Sequence, residues 1–498
     1  MDLPIIERAK LHGESIAYSA SAVSTTYAQL LDDSARLAGY LLKSRNDLRE
    51  ARVGMLVPPG ADYSTVQWGI WRAGGVMLPL CLSATEQEWE YSLSDSEVEV
   101  LVTTEDWIDK VIPVCQRLGV RVVSLNAALK APTASLELPS IDESRRAMIL
   151  YTSGTTSKPK GVVTTHSNIQ SQIKALVEAW GWSKEDRIPL FLPLHHIHGI
   201  INIMGCALWS GATIEPFSRF DMASILERVQ IQAYTLFMAV PTIYVKLIEE
   251  LAICQEPKRR EIISGFAQMR LMVSGSAALP VSVFDGWYQL TGQKLLERYG
   301  MTEIGMALSN PYRGERLAGT VGQPLPNVEV RLKDGEKIIR EENVPGEIQV
   351  RGPSVFQEYW NRSDITVESF DDGWFRTGDI AVIENGYYRI MGRSSVDIIK
   401  SGGYKLSALE IESVLLDHPA IRECAVLGIE DNTWGEAVAV AVTLHQDKSL
   451  DIESLREWCR QRMSVYKIPK YLKVTDSLPR NAMGKVTKPA VRQFFDDL

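Results

Sequence analysis

One eleven-residue stretch limits what this chain can be: Tyr151-Thr152-Ser153-Gly154-Thr155-Thr156-Ser157-Lys158-Pro159-Lys160-Gly161. The apolar run Ala147-Met148-Ile149-Leu150 before it reads as a buried strand, and Val162-Val163-Thr164-Thr165-His166 after it reads as a second one. A loop between strands with five Ser/Thr hydroxyls, two glycines and two lysines suits a polyphosphate. Glycines let the backbone approach, hydroxyls and amides donate to phosphate oxygens, and lysines neutralise charge. The stretch lacks the G-x-x-x-x-G-K-[ST] spacing of a Walker loop. Taken alone, it equally describes a solvated Ser/Thr/Gly turn.

The rest of the chain sets bounds. Its 498 residues suit two to four units. A net charge of −9 argues against a general nucleic-acid binder, which needs a basic face. The six cysteines are scattered without a C-x-x-C pair, so neither a zinc knuckle nor a disulfide framework is expected. The N-terminal residues lack a signal-peptide core, and no apolar run approaches the ~20 residues of a spanning helix. A cytoplasmic enzyme with no membrane span is expected.

Strand and helix patterns alternate from Ile16 to a helix that begins at Pro241, which indicates α/β layers. The similar layering on either side of the loop predicts two related sheets packed on each other. Leu190–Leu194 reads as a short strand, with His196 and His198 on one face. Residues 200–209 read as a buried helix. From about 319 the pattern alternates with period two between Asp334-Gly335, Asp372-Gly373 and Asn385-Gly386 turns, predicting a small antiparallel barrel or sheet. The last hundred residues read as a separate α+β unit. The boundary falls in Gly392-Arg393-Ser394-Ser395, giving units 1–393 and 394–498.

Candidate chemistry lies in short clusters. Leu194-His195-His196-Ile197-His198-Gly199 holds three of the seven histidines but lacks spacings for a four-ligand metal site, so one imidazole facing a substrate is the better reading. Val273-Ser274-Gly275-Ser276-Ala277-Ala278-Leu279-Pro280 reads as a strand running into a Pro-led helix, with clear space for a flat ring. Leu296-Glu297-Arg298-Tyr299-Gly300-Met301-Thr302-Glu303 offers an aromatic, a hydroxyl and a carboxylate able to hold Mg²⁺. Arg298 adds a planar fork suited to a carboxylate, or a partner for Glu297. Asp379, in Gly373-Trp374-Phe375-Arg376-Thr377-Gly378-Asp379, suits ribose hydroxyls. Lys400 to Lys405 and Asn481 to Lys485 form two small lysine-bearing loops.

In order, YTSGTTSKPKG, SGSAALP, YGMTE, GWFRTGD, the Gly392-Arg393 hinge, SGGYK and NAMGK cover the chain from about Thr26 to Lys485. The chain therefore resembles the adenylate-forming superfamily of acyl-CoA synthetases, adenylation domains and luciferases. The resemblance implies that a carboxylate is activated with ATP to an acyl-adenylate, which coenzyme A then captures. It places Thr152, Ser153, Gly154, Thr155, Thr156 and Lys160 at the phosphates, and Gly275, Ser276, Ala277, Glu297 and Tyr299 around the nucleotide. It puts Thr302 at the α-phosphate, Asp379 and Arg393 at the ribose, and Mg²⁺ on Glu303 with Thr155. Lys485 bridges the reacting groups, Lys400, Ser401, Gly402 and Gly403 line the coenzyme A path, and Ser395 is the hinge. Two departures stand out: Ser157 replaces a usual glycine, and Ser395 replaces the usual Asp or Lys of an electrostatic latch. LPLHHIHG, FMAVPTIY and LERYGMTE look most like malonyl-CoA synthetases, which implies that Arg298, His198 and Ser274 take a second carboxylate. Methylmalonate, another short dicarboxylate, a medium-chain acid, or loading of a carrier protein are the alternatives. A monomer or homodimer is expected.

Overall fold

A strand buried on both faces carries the opening motif. Ala147, Met148, Ile149 and Leu150 are each at most 2% exposed, as a central strand between two layers requires. The computed structural model describes residues 2–496 except 21–22, 44, 133–136, 153–158, 402–403, 432–433 and 481–485. Among these, the strand Arg146–Thr152 lies in a seven-stranded sheet. Its parallel part runs Arg146–Thr152, Val76–Pro79, Arg52–Leu56, Val100–Thr103, Arg121–Ser124. On the other side Lys160–Thr165 pairs antiparallel, and Glu358–Tyr359 closes that edge. Thr152 pairs with Lys160, so the opening motif lies between two antiparallel strands.

The second layer is divided. Val23–Thr26, Ile16–Ala20, Thr213–Pro216 and Arg187–Leu190 form one sheet. Leu236–Ala239, Leu271–Ser274 and Leu296–Met301 run parallel in another, followed by antiparallel Gly305–Ser309 and Gln323–Pro324. The Thr235 N–H donates to the Arg187 carbonyl (3.0 Å), and the Arg187 N–H donates to Thr235 Oγ1 (3.0 Å), joining the two. The buried Asp186 next to this seam is paired with Arg270 at 2.6 Å.

The helix His166–Trp180 shows how the layers adhere. Thr165 caps it in a reciprocal box with Asn168, and Gly181, at φ 60°, ends it. Ile169, Ile173, Leu176 and Trp180 recur at helical spacing and enter a core shared with both layers. Each such burial contributes about 1.5–3 kcal/mol, so this stripe outweighs the cap, which contributes about 1. The expected barrel is a six-stranded antiparallel sheet spanning Glu329–Asp334 to Tyr387–Arg393.

The expected strand over Leu190–Leu194 is corrected. The strand is Arg187–Leu190, and Pro193 lacks the N–H that would extend a ladder. A π-helix, His198–Gly205, follows and passes into the α-helix Cys206–Ser210, so His196 and His198 share no strand face.

Residues 398–495 build a sheet of Tyr404–Ser407, Ile398–Ser401, Gly435–Leu444, Ile421–Asp431 and Tyr471–Val474, with Ala408–Leu415 and Ile452–Arg460 as helices. Their buried apolar residues cluster apart from the main core, apart from Ile398, which joins Ile380, Val382 and Met391. Near the turn after Arg393 lies a buried charge cluster. Asp397 Oδ2 accepts the Arg393 N–H at 2.9 Å, while Oδ1 lies 2.6 Å from Lys488 Nζ. Lys488 is also 2.8 Å from Glu412, which accepts the Val426 N–H. Ser395 is exposed, but Asp397 supplies a charged link two residues later. Lys488→Met leaves two carboxylates facing each other, and removing one partner of a buried pair costs about 3–5 kcal/mol. Urea unfolding followed by hydrogen exchange at Val426 should show that loss; an unchanged profile contradicts the assignment.

Candidate active site

The site gathers where the strand Leu296–Met301 lies beside the turn after Leu271–Ser274. Ser274 pairs with Glu297 across the ladder. The chain then turns through Gly275 and Ser276, the latter at φ 70°. A Cβ at Gly275 would lie 2.4 Å from Arg298 Cζ, so the guanidinium rests directly on this glycine. Arg298 is 4% exposed, and its Nε and Nη2 have no hydrogen-bond partner. Among the described residues, no carboxylate lies within ion-pair distance of it.

Glu297 does not fill that role. Consecutive strand residues point to opposite faces, and Glu297 Oε1 instead accepts the Leu279 N–H at 2.8 Å. Glu297 thus braces the Ser274–Pro280 turn. Burial pushes its carboxyl up and the Arg298 guanidinium down, and their attraction offsets only part of each shift.

His198 opens the π-helix and turns toward the same turn. Its Nδ1 and Ser276 Oγ share a hydrogen bond of 3.1 Å, while Nε2 is buried without a partner. Burial, followed by the Arg298 charge, drives its pKa well below the usual histidine value, so the ring is neutral at pH 7. Ser274 Oγ is likewise buried and unpartnered. So are both amide atoms of Asn202, one helical turn beyond His198. Each buried polar group left unpaired costs about 1–3 kcal/mol, and charged groups cost more. Of these groups, His198 lies close enough to Arg298 to feel its charge.

A second group surrounds Glu303, at the tight turn between Leu296–Met301 and Gly305–Ser309. Glu303 is 5% exposed, and the Tyr359 hydroxyl donates to its Oε1 at 2.9 Å. Lys160 Nζ lies 4.4 Å from the Tyr359 ring centroid. Burial raises the Glu303 pKa, opposed by the Tyr359 hydroxyl and by the charges of Arg393 and Lys160. Thr302 is half-buried at the same turn.

The third group shares Arg393. Asp379 is buried, with Oδ1 at 2.8 Å from Arg393 Nε and Oδ2 accepting from the Tyr299 hydroxyl at 2.5 Å. Arg393 Nη1 also donates to the Thr377 carbonyl at 3.1 Å. Arg298, Tyr299, Thr302 and Glu303 come from one short stretch. Tyr359 and Asp379, which hydrogen-bond to Glu303 and Tyr299, come from distant ones, as do His198 and Arg393.

The other expected site residues fall elsewhere. Ser153, Gly154, Thr155, Thr156, Ser157, Gly402, Gly403 and Lys485 lie outside the described residues. Thr152 Oγ1 reaches the Lys160 carbonyl at 3.5 Å, and Ala277 is exposed. Lys400 and Ser401 belong to the C-terminal sheet rather than to the sheets carrying Arg298 and Glu303. Sequence reasoning missed Asn202 and Tyr359. A lone Asn in the apolar run Ile200-Ile201-Asn202-Ile203-Met204 was a readable signal for the first.

Comparison with known proteins follows the same division. Residues 5–360 match the family model of AMP-binding enzymes, and residues 410–485 match the AMP-binding enzyme C-terminal domain. The mitochondrial malonate–CoA ligase ACSF3 of Xenopus laevis is 42% identical, over 99% of this chain and 92% of that protein. ATP-bound MatB from Rhodopseudomonas palustris superposes with a TM-score of 0.89 at 31% identity, over 100% of this chain and 99% of that one. The o-succinylbenzoate coenzyme A synthetase of Bacillus subtilis, in complex with ATP and magnesium, gives 0.86 at 28% identity, over 99% of both chains.

The seating of Arg298 makes a direct prediction. Gly275→Ala forces the guanidinium off the turn, and overpacking of this kind costs about 1–3 kcal/mol. A crystal structure of the variant should show Arg298 displaced, with a lower urea midpoint. An unmoved guanidinium at unchanged stability contradicts the packing argument.

Proposed function

The chain belongs to the AMP-binding enzymes, and we propose that within this family it is a malonate–CoA ligase. It joins malonate to coenzyme A at the expense of ATP. One observation carries the choice of acid: Arg298 is a buried cation with no carboxylate within ion-pair distance among the described residues, and His198 Nε2 and Ser274 Oγ are buried without hydrogen-bond partners. A monocarboxylate would leave that charge uncompensated once its own carboxylate faced ATP. A dicarboxylate supplies the missing counter-ion.

In this reading the distal carboxylate of malonate takes Arg298 Nε and Nη2 as a two-point clamp. The neutral His198 donates from Nε2, its Nδ1 accepting from Ser276, and Ser274 Oγ–H donates beside it. The other carboxylate is thereby aimed at the nucleotide. Its oxygen attacks the α-phosphorus, the bond to the β-phosphate breaks, and pyrophosphate leaves. The coenzyme A thiol then loses its proton, its sulfur bonds to the acyl carbon, and AMP leaves.

The nucleotide roles are assigned on the same reading. Thr152, Ser153, Gly154, Thr155, Thr156 and Lys160 hold the outer phosphates. Gly275, Ser276, Ala277 and Tyr299 border adenine, with Glu297 bracing that turn. Asp379 and Arg393 hold the ribose, and Thr302 meets the α-phosphate. The buried carboxylate of Glu303 is a hard oxygen ligand suited to a magnesium ion, which it would hold together with Thr155. When bound, that ion neutralises phosphate charge. Lys485 stabilises charge that develops between the two reacting groups. We take 1–393 as the adenylation unit and 394–498 as a unit that turns about Ser395 to bring Lys400, Ser401, Gly402 and Gly403 to coenzyme A.

The compartment we assign is the cytoplasm, supported by six cysteines that are all free. The Xenopus relative is a mitochondrial protein. Among the described residues, no helix is long and apolar enough to cross a membrane.

Arg298→Ala should lower kcat/KM for malonate by about 2–5 kcal/mol, roughly thirty- to several-thousand-fold, because the distal carboxylate is left buried and unpaired. AMP release with coenzyme A, measured over malonate, methylmalonate, succinate, acetate and octanoate, checks the assignment. Malonate is expected to lead for the wild type and to lose its lead in the variant. Acetate or octanoate outranking malonate in the wild type rejects the dicarboxylate reading.

A further inference from the structure

The tyrosine at the sheet edge touches both halves of the phosphate machinery. Tyr359 sits on the two-residue strand Glu358–Tyr359, which pairs antiparallel with Lys160–Thr165 and places Tyr359 opposite Val162. The strand is held on each side: the Gln357 N–H donates to the Val163 carbonyl (2.9 Å) and the Trp360 N–H to the Gly161 carbonyl (2.8 Å). The Tyr359 N–H donates to Thr366 Oγ1 (3.0 Å), and the ring packs edge-on against Phe356, centroids 4.7 Å apart. The side chain is 4% exposed and so has little freedom. Its hydroxyl reaches Glu303 Oε1 at 2.9 Å, and its ring face carries Lys160 Nζ at 4.4 Å.

We propose that Tyr359 is a positioning residue that sets the distance between Glu303 and Lys160, so that the cation and the phosphates of metal-bound ATP are received as one unit. The proposal rests on the adenylation reading above. Glu303 lies in a tight turn, and its carboxylate needs a fixed direction to meet a divalent cation, which demands well-placed oxygen ligands. The Tyr359 hydroxyl supplies that direction by occupying Oε1. Lys160 is the first residue of the strand leaving the phosphate motif, and an unsupported lysine samples many rotamers. The ring face narrows that range and keeps the ammonium on the same tyrosine that holds the carboxylate. One rigid aromatic thus fixes two charges of opposite sign that are 143 residues apart in sequence, Lys160 to Glu303. The hydroxyl acts on the carboxylate and the ring on the lysine, so the two contributions separate by mutation.

The test uses full-length protein and isothermal titration without acid substrate, so that no turnover occurs. Tyr359→Phe keeps the ring and removes only the hydroxyl. It should weaken Mg·ATP binding about tenfold, the loss of one hydrogen bond to a charged group, and leave AMP binding without metal unchanged. Tyr359→Leu should weaken Mg·ATP further and also weaken metal-free ATP, because Lys160 loses its support. Titrating Mn²⁺ against the ATP-bound protein, read by electron paramagnetic resonance, should show a higher half-saturation concentration in Tyr359→Phe. Wild-type Mg·ATP affinity in Tyr359→Phe overturns the proposal, as does an equal loss of AMP and Mg·ATP binding. Wild-type protein that fails to bind Mg·ATP at all overturns instead the adenylation reading on which it stands.

Discussion

A cation that the protein buries without its own counter-ion governs this structure. Arg298 is packed against the turn at Gly275, and no carboxylate of the described residues comes within ion-pair distance of it. Removing an ion from water costs several kcal/mol unless a partner is supplied. The neighbouring Glu297 is turned away by the alternation of the strand and spent on the Leu279 amide. His198 is kept neutral by burial and by the same positive charge, so it can donate without adding repulsion. In the proposed reading a ligand brings the negative charge that the described residues do not bring within ion-pair distance of Arg298.

That strain is tolerated because the surrounding core is large and continuous. Apolar residues from the seven-stranded sheet, from both parts of the second layer and from the intervening helices form one cluster. Trp68, Trp180 and Trp287 are among its fully buried side chains. A few kcal/mol invested in one unpaired site is small against the gross burial of such a core, although it is large against the net stability of a typical domain. The same economy appears at Asp379, whose two oxygens are taken by Tyr299 and Arg393, so that the ribose role proposed for it would start from a side chain already held. That side chain is oriented in advance rather than by its ligand.

The sequence carried the motifs and the layer pattern well, for physical reasons. Buried strands such as Ala147–Leu150 declare themselves by unbroken apolarity, and Gly-rich turns by composition. The stretch Arg298–Glu303 was legible because its side chains share one strand and the turn that follows it. The contacts were not legible. Tyr359 meets Glu303 from 56 positions away, and neither residue's neighbourhood names the other. The course of the chain through His195 to His198 was misread because the apolar run Leu190–Leu194 outweighed Pro193, and because a π-helix has no sequence period of its own. Ser395 was rightly read as lacking a charge. Asp397 and Lys488, which make a charged link beside it, become neighbours only in three dimensions.

The central claim is that the second carboxylate of the substrate is the counter-ion of Arg298. The most direct measurement is a crystal structure of the wild-type protein with malonate and a non-hydrolysable ATP analogue. The account predicts one malonate carboxylate within hydrogen-bond distance of Arg298 Nε and Nη2 and of His198 Nε2, with the other directed at the α-phosphate. Malonate bound with no carboxylate on Arg298, or an Arg298 that pairs with a group of the protein once ligands are present, would contradict it.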